Sequence, residues 1–353
     1  MKAAVLTTLN APLELWDLEH PLHTHDSPCA NGQVLVEMLA SGICGAQLKE
    51  ISGEKGNANF LPHLLGHEGC GIVKKVGAGI SVQLVGKKVC LHWRKGSGPE
   101  SYLPARYETN DGRTIGGGHV TTLCESAVVS ANRVTVVPDD TPDELCALLG
   151  CGLSTALGTI EQEAKVRFGE SVLIVGCGGV GMNLIQASRL ACAYPVVAMD
   201  IVDEKQEACV KLGATKYVNC KKESVSDAMN AFGIRGFDVI VDTTGSVDAL
   251  EETMQLLSDN GRYVCIGQTK PGQDFRVMNA LQMFHGEKGR RIIWSQGGGF
   301  RPSVDTPRYL NLWRAGRLDI ESIVSHRIGL SEINDGINLV RSGQAGRIIV
   351  RLK

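Results

Sequence analysis

The sequence predicts an α/β chain of two domains, a β-rich first part and a doubly wound parallel sheet. Three observations predict this. Residues 153–296 alternate short apolar runs with helical stretches, the pattern of parallel strands joined by crossover helices. Gly176, Gly178 and Gly181 take the spacing G-x-G-x-x-G between one such strand and the helix after it. The chain's 353 residues exceed what one ordinary hydrophobic core organises.

Up to about residue 150 the chain reads as short strands punctuated by Gly, Pro and Asn, with a few short helices. Gln33–Leu39, Gly71–Val76, Lys88–His92, Glu125–Val129 and Arg133–Val137 are examples. In the second part, strands are expected at Val172–Val175, Val196–Met199, Lys216–Asn219, Phe237–Val241, Arg262–Ile266 and Arg291–Trp294. The tail carries helical stretches at Asp305–Ala315 and Ser331–Arg341 and a final strand, Arg347–Arg351. The simplest assembly returns this tail to the first domain. The boundaries are then 1–152 and 297–353 for the first domain and 153–296 for the second.

Each part of the glycine segment has a physical task. Val172–Val175 is apolar throughout, as a strand buried on both faces must be. Gly176 permits a tight turn, Gly178 lets backbone approach a pyrophosphate, and Gly181 lets helix and strand pack closely. Val180, Leu184, Ile185 and Leu190 line one side of the helix, whose first turn offers free N–H groups to phosphate. Asp200 ends the next strand, where a carboxylate can take both hydroxyls of an adenosine ribose. A 2′-phosphate would meet that negative charge, and Ile201 and Val202 supply no cation, so NAD(H) is expected over NADP(H).

A formal net charge of -2 gives no electrostatic reason to expect nucleic acid or an anionic membrane as partner. No apolar stretch reaches the length of about 18 residues that a membrane span needs, and no signal peptide is evident. The twelve cysteines show no paired framework. Cys177, Cys192 and Cys265 lie in apolar segments and read as buried thiols, which suits a reducing, cytoplasmic setting. His20, His23 and His25 lie in a Pro-flanked loop without a nearby thiolate and read as ordinary loop residues rather than a metal site.

Three segments of the first domain offer metal-binding chemistry: Ser41-Gly-Ile-Cys44-Gly, Gly66-His67-Glu68-Gly and Leu149-Gly-Cys151-Gly. Two thiolates and an imidazole suit Zn²⁺, and three protein ligands leave one position open, as catalytic sites do. Spacing alone also allows two inert buried cysteines and an ordinary His-Glu pair.

The chain resembles the zinc-dependent, medium-chain alcohol dehydrogenase family, which includes sorbitol and threonine dehydrogenases. The resemblance covers almost the whole chain and rests on SGICG, LLGHEGCGIV with KKVGAGI after it, LLGCGLSTALGT, VLIVGCGGVG with Asp200, and SGQAGRIIV. It implies a GroES-like catalytic domain, a Rossmann domain and one catalytic zinc at Cys44, His67 and Cys151. That ligand set is already known for the family's zinc. Glu68 is implied behind the metal, Thr155 against the nicotinamide, Lys205 near the adenosine ribose and Arg347 near the pyrophosphate. Gly179, Val180 and Ile266 complete the implied cofactor contacts. Zinc stabilising an alkoxide and nicotinamide taking the hydride would meet across a cleft between the domains.

The chain also departs from the family pattern. Relatives carry a Ser or Thr two residues after the first ligand and then an Asp; here Ala46 and Gln47 follow. Ala46 cannot pass a proton. Gln47 could accept the imidazole N–H without a charge, and His92, Lys49 or an ordered water could replace the relay. No cysteine lies between Cys90 and Cys124, so the structural zinc of many relatives is not expected. His92, Trp93 and His119 are candidate substrate contacts, with Arg94 and Lys95 as a polar face beside them. A secondary alcohol, polyol, cyclitol or sugar-like molecule is the expected substrate. A primary alcohol or aldehyde is the alternative, and a non-catalytic NAD- and zinc-binding protein is the rival of another class. GRYVCIG and RRIIW lie late in the sheet, whose edge pairs between subunits in the family; a homodimer or homotetramer follows.

Overall fold

A computed structural model describes residues 1–19, 29–55, 58–109, 111–277 and 289–353. His20, His23 and His25 lie outside the described residues. The chain divides into two compact units, Met1–Gly152 with Arg301–Arg314 and Val324–Lys353, and Leu153–Phe300 with Ala315–Ile323. This division differs from the sequence boundaries in two places. Residues 297–300 stay with the second unit because a side chain on Gly298 would overlap Thr155 O, so close is the backbone approach there. Residues 315–323 join it because the Asp319 N–H donates to Gln186 Oε1 at 3.1 Å.

The first unit is rich in strands, with the helices Gly45–Ile51, Asp143–Leu148, Pro302–Arg314 and Ile333–Arg341. Gln33–Ile43 is its hub, pairing antiparallel with Glu68–Val76, Ser126–Ser130 and Arg347–Arg351. Gln33–Ile43 outruns its expected end by four residues, and Glu68–Val76 starts three before its expected start. Both extensions run toward the Cys44 and His67 segments. Ile348 stands opposite Ile43, so the end of the chain lies beside the segment that presents Cys44. A second sheet runs Glu14–Asp17, Lys2–Leu6, His63–Leu64, Thr114–Gly118, Ala105–Glu108. Val34, Val36, Met38, Val73, Val89 and Leu91 fill the core.

The second unit holds a six-stranded parallel sheet in the order Lys216–Asn219, Val196–Asp200, Val172–Val175, Phe237–Asp242, Leu257–Cys265, Arg291–Trp294. Chain order therefore reverses between Val172–Val175 and Phe237–Asp242, the position where such sheets bind ligands beyond their carboxyl ends. Val172, Leu173 and Ile174 are fully buried. Cys177 and Cys265 are buried as expected, but Cys192 is exposed. It follows the helix Gly179–Leu190 at φ +55°, in the turn where the chain leaves the core. Among the described residues, no helix is long and apolar enough to cross a membrane.

Candidate metal centre and cofactor loop

Each of the three ligand segments is shaped by close backbone contacts. Cys44 follows the hub strand and caps the helix Gly45–Ile51, and its N–H donates to Gln47 Oε1 at 2.6 Å. Gly66, at φ +99°, precedes His67; a side chain there would overlap Thr122 Oγ1. Cys151 follows the helix Asp143–Leu148 between two glycines, of which Gly150 lies against Leu91 O and Gly152 against the Arg347 guanidinium.

The fold brings the three ligand atoms within 4.8 Å of one another. The two sulfurs are 4.0 Å apart. The Cys151 thiol stabilises a thiolate on Cys44, whose pKa falls well below the ordinary thiol value; Cys151 keeps its proton for the same reason. Burial opposes charge on His67, but the neighbouring Cys44 thiolate outweighs it and raises the imidazole's pKa. Two thiols and an imidazole this close, one thiol already inclined to ionise, fit Zn²⁺.

Glu68 lies behind this group, fully buried. Its Oε1 accepts from Arg347 Nη1 at 2.9 Å and its Oε2 from the Gly152 N–H at 3.2 Å. One carboxylate thus joins the His67 segment, the residue after Cys151 and the last strand. Burial pushes the Glu68 carboxyl upward while Arg347 pulls it down. Burial likewise works against charge on Arg347, but Glu68 and the two cysteines hold its guanidinium firmly charged. Gly42 leaves the room that Glu68 occupies. Arg347 is 3% exposed, placed against Glu68 and the Ile43 carbonyl.

His92 and Gln47 stand differently from expectation. His92 is fully buried, with Nδ1 at 2.7 Å from Arg94 O and Nε2 at 2.9 Å from Thr135 Oγ1. Both nitrogens are engaged within the fold and burial lowers its pKa to about 4, so it is a core histidine rather than a relay or substrate contact. Gln47 does not accept the imidazole N–H: its oxygen serves Cys44, and Nε2 is buried without a partner. Lys49 pairs with Glu54 at 3.5 Å. Trp93 is half-buried, one residue past the Glu68–His92 pair at which the two strands stop pairing. His119 is half-buried, and its carbonyl accepts the Ser130 N–H.

The glycine segment of the second unit takes the expected form. Gly176 has φ +87°, which an L side chain rarely adopts, and a side chain on Gly181 would overlap Gly176 O. A side chain on Gly178 would meet nothing within 4 Å, so that side of the loop is open, as a pyrophosphate requires. Asp200 Oδ2 accepts the Cys177 N–H at 2.6 Å and Lys205 Nζ at 3.0 Å. Lys205 is thereby drawn to the carboxylate expected to hold ribose. Thr155 is 5% exposed, and the Ile266 N–H donates to Asp242 O at 2.8 Å.

Sequence reasoning missed the loop after Phe237–Asp242. Thr243 Oγ1 donates to Gly176 O at 2.9 Å, and Asp242 accepts from Thr244 Oγ1 at 2.6 Å and the Gly245 N–H at 3.1 Å. This loop borders the glycine turn at the point where strand order reverses. Its signal was legible: a buried strand running into Asp-Thr-Thr-Gly. Glu100 and Arg133, whose ion pair backs Trp93, left no such signal because 33 residues separate them.

Residues 30–139 match the model of the alcohol dehydrogenase GroES-like domain, and residues 179–311 that of the zinc-binding dehydrogenase. The chain is 28% identical to an S-(hydroxymethyl)glutathione dehydrogenase of Paracoccus denitrificans, over 99% of both chains. It is 27% identical to alcohol dehydrogenase 6 of Peromyscus maniculatus, over 99% of this chain and 97% of that one. An alcohol dehydrogenase zinc-binding domain protein from Burkholderia ambifaria superposes with a TM-score of 0.88 at 26% identity, covering 100% of this chain and 98% of that one. With a GroES-like unit that gathers Cys44, His67 and Cys151 and a Rossmann unit built on Gly176–Asp200, the chain belongs to the zinc-dependent medium-chain alcohol dehydrogenase family.

Proposed function

We propose that this zinc-dependent alcohol oxidoreductase moves a hydride between NAD(H) and the CH–OH carbon of a secondary alcohol, polyol, cyclitol or sugar-like substrate. One observation carries the assignment of the site: two thiols and an imidazole from three distant segments lie within 4.8 Å of one another. Bound there, zinc would supply Lewis acidity to the alcohol or carbonyl oxygen. Cys44, His67 and Cys151 would hold it. Glu68 orients two of those three segments through the Gly152 N–H and its own place beside His67.

Asp200 supports NAD(H) over NADP(H), since its carboxylate ends the strand where the ribose would lie and would repel a 2′-phosphate. Gly178 leaves the loop open to the pyrophosphate. With Ala46 inert and His92 engaged elsewhere, Lys49 and solvent water are the remaining routes for the substrate proton. We propose one zinc per chain, because residues 91–123 carry no cysteine. We further propose at least a dimer, formed along the edge strand Arg291–Trp294, where Trp294 is 60% exposed. Twelve cysteines without a paired framework support a cytoplasmic, reducing setting.

Purified protein assayed with NAD and NADP against polyols, sugars, simple alcohols and S-(hydroxymethyl)glutathione, alongside zinc by elemental analysis, tests this reading. The expected result is one zinc per chain, NAD preference and the highest kcat/KM on a secondary alcohol. Highest efficiency on primary alcohols would reject the substrate class; NADP preference would reject the role of Asp200.

A further inference from the structure

Residues 93–104 form a run of twelve with neither helix nor strand, between the strands Lys88–His92 and Ala105–Glu108. A segment that long loses much conformational entropy when it is ordered, so tertiary ties must hold it. It contains no cysteine. What holds it is a cluster of charges around one carboxylate. Arg133, 9% exposed, donates from Nη1 to the Trp93 carbonyl and from Nη2 to Glu100 Oε1 at 3.2 Å. Lys95 Nζ donates to the other oxygen of Glu100 at 2.5 Å. One guanidinium therefore bridges residues 93 and 100, and one carboxylate bridges residues 95 and 133.

Backbone contacts reinforce the closure. The Gly96 N–H donates to Asn132 O at 2.7 Å, Ser97 N–H to Ser303 Oγ at 2.8 Å, and Ser101 N–H to Ser130 Oγ at 2.8 Å. At the start of the segment stands Trp93, the residue after His92, whose cross-strand partner Glu68 is the residue after His67. The Arg94 guanidinium lies 5.6 Å from the centre of its ring.

We infer that Arg133 and Glu100 are positioning residues for the reaction: they fix Trp93 one residue past the Glu68–His92 pair, and so set the affinity for the alcohol. The inference rests on the reading that substrate binds at Cys44, His67 and Cys151 against Trp93. This two-pronged grip requires a guanidinium. A lysine ammonium is a point charge and cannot hold a carbonyl and a carboxylate in one planar fork. Lost affinity with intact chemistry is the signature of a contact that binds ground state and transition state alike.

The test uses the zinc-loaded enzyme with 2,3-butanediol as the secondary-alcohol probe, in Glu100→Gln, Arg133→Lys and Trp93→Ala. Glu100 is partly exposed, so its neutral variant keeps the fold. Glu100→Gln and Arg133→Lys should each raise KM by about 3- to 10-fold while kcat stays within about twofold. Acrylamide quenching of tryptophan fluorescence should rise in both, and that rise should vanish in a Trp93→Ala background. Trp93→Ala should itself raise KM at least as far. Unchanged KM and quenching in Glu100→Gln, with KM raised in Trp93→Ala, would overturn the positioning role alone. Unchanged KM in Trp93→Ala would overturn the placement of substrate against Trp93, and the inference with it, even if quenching still reports a loosened segment.

Discussion

The metal centre and the cofactor loop are built on opposite plans. The cofactor loop is local: Gly176, Gly178, Gly181 and Asp200 fall within 30 residues of one strand–helix–strand unit. The metal centre draws Cys44, His67 and Cys151 from segments up to 107 residues apart, and Arg347, which backs them, from the far end of the chain. In the loop, backbone conformation carries the function. At the metal centre, buried charge and long-range pairing carry it. Damage on the open side of the loop, at Gly178, should therefore be confined to cofactor binding, whereas damage behind the metal centre should reach stability and metal together.

The sharpest break in that comparison is Cys151→Ser. It should lower turnover by about three orders of magnitude, with zinc content falling well below one per chain. NADH affinity, measured by fluorescence titration, should be unchanged. A Cys151→Ser enzyme as active as the parent would remove the metal centre from the mechanism.

Next in size is Arg347→Met. It leaves Glu68 buried without its cation, which should cost about 3–5 kcal/mol in denaturant unfolding of the zinc-free protein. Zinc affinity should also weaken by about 10- to 100-fold. A loss of metal affinity without any loss of stability would mean that Glu68 does not depend on the pair.

His92 gives the first unit a pH dependence. Its folded pKa of about 4 lies below the ordinary histidine value of about 6.5, because burial disfavours the imidazolium. Between these values the unfolded chain binds more protons than the folded one, so stability rises with pH. The contribution is complete above about pH 6.5 and is lost as pH falls through about 4, a decline of up to about 3 kcal/mol. His92→Gln should flatten it, as read from unfolding midpoints at pH 7 and pH 5. Parallel declines in both proteins would place the acid sensitivity in other groups.

The two glycines of the loop sharpen the comparison at its smallest scale. Gly181→Ala should destabilise by about 1–3 kcal/mol, since the new methyl overlaps Gly176 O. Gly178→Ala meets nothing and should unfold within about 0.5 kcal/mol of the parent, yet raise the Kd for NADH about tenfold or more. Equal NADH affinity in Gly178→Ala and the parent would show that the pyrophosphate does not lie over that glycine.

What was legible in the sequence follows the same division. The strand Val172–Val175, its glycine turn and Asp200 were readable because each rests on local periodicity and on glycine's lack of a side chain. Burial of single side chains was less so. Cys192 sits in an apolar run and is exposed, because the turn after a helix leaves the core whatever its composition. His92 looked available and is locked, because which groups flank a strand residue depends on register with Thr135 and on the turn to Arg94. Gln47 looked poised for His67 and instead caps Cys44, since helix geometry returns the third residue of a helix to its cap.

The sequence by itself determined the parallel sheet, the glycine turn and the ligand types on offer. These follow from side-chain pattern and backbone freedom within a few dozen residues. The tertiary structure alone decided that Glu68 and Arg347 meet, that Arg133 grips both Trp93 and Glu100, and that residues 315–323 join the second unit. Such pairings are choices among partners far apart in the chain. They are settled by which buried charges find compensation once the strands have taken their register.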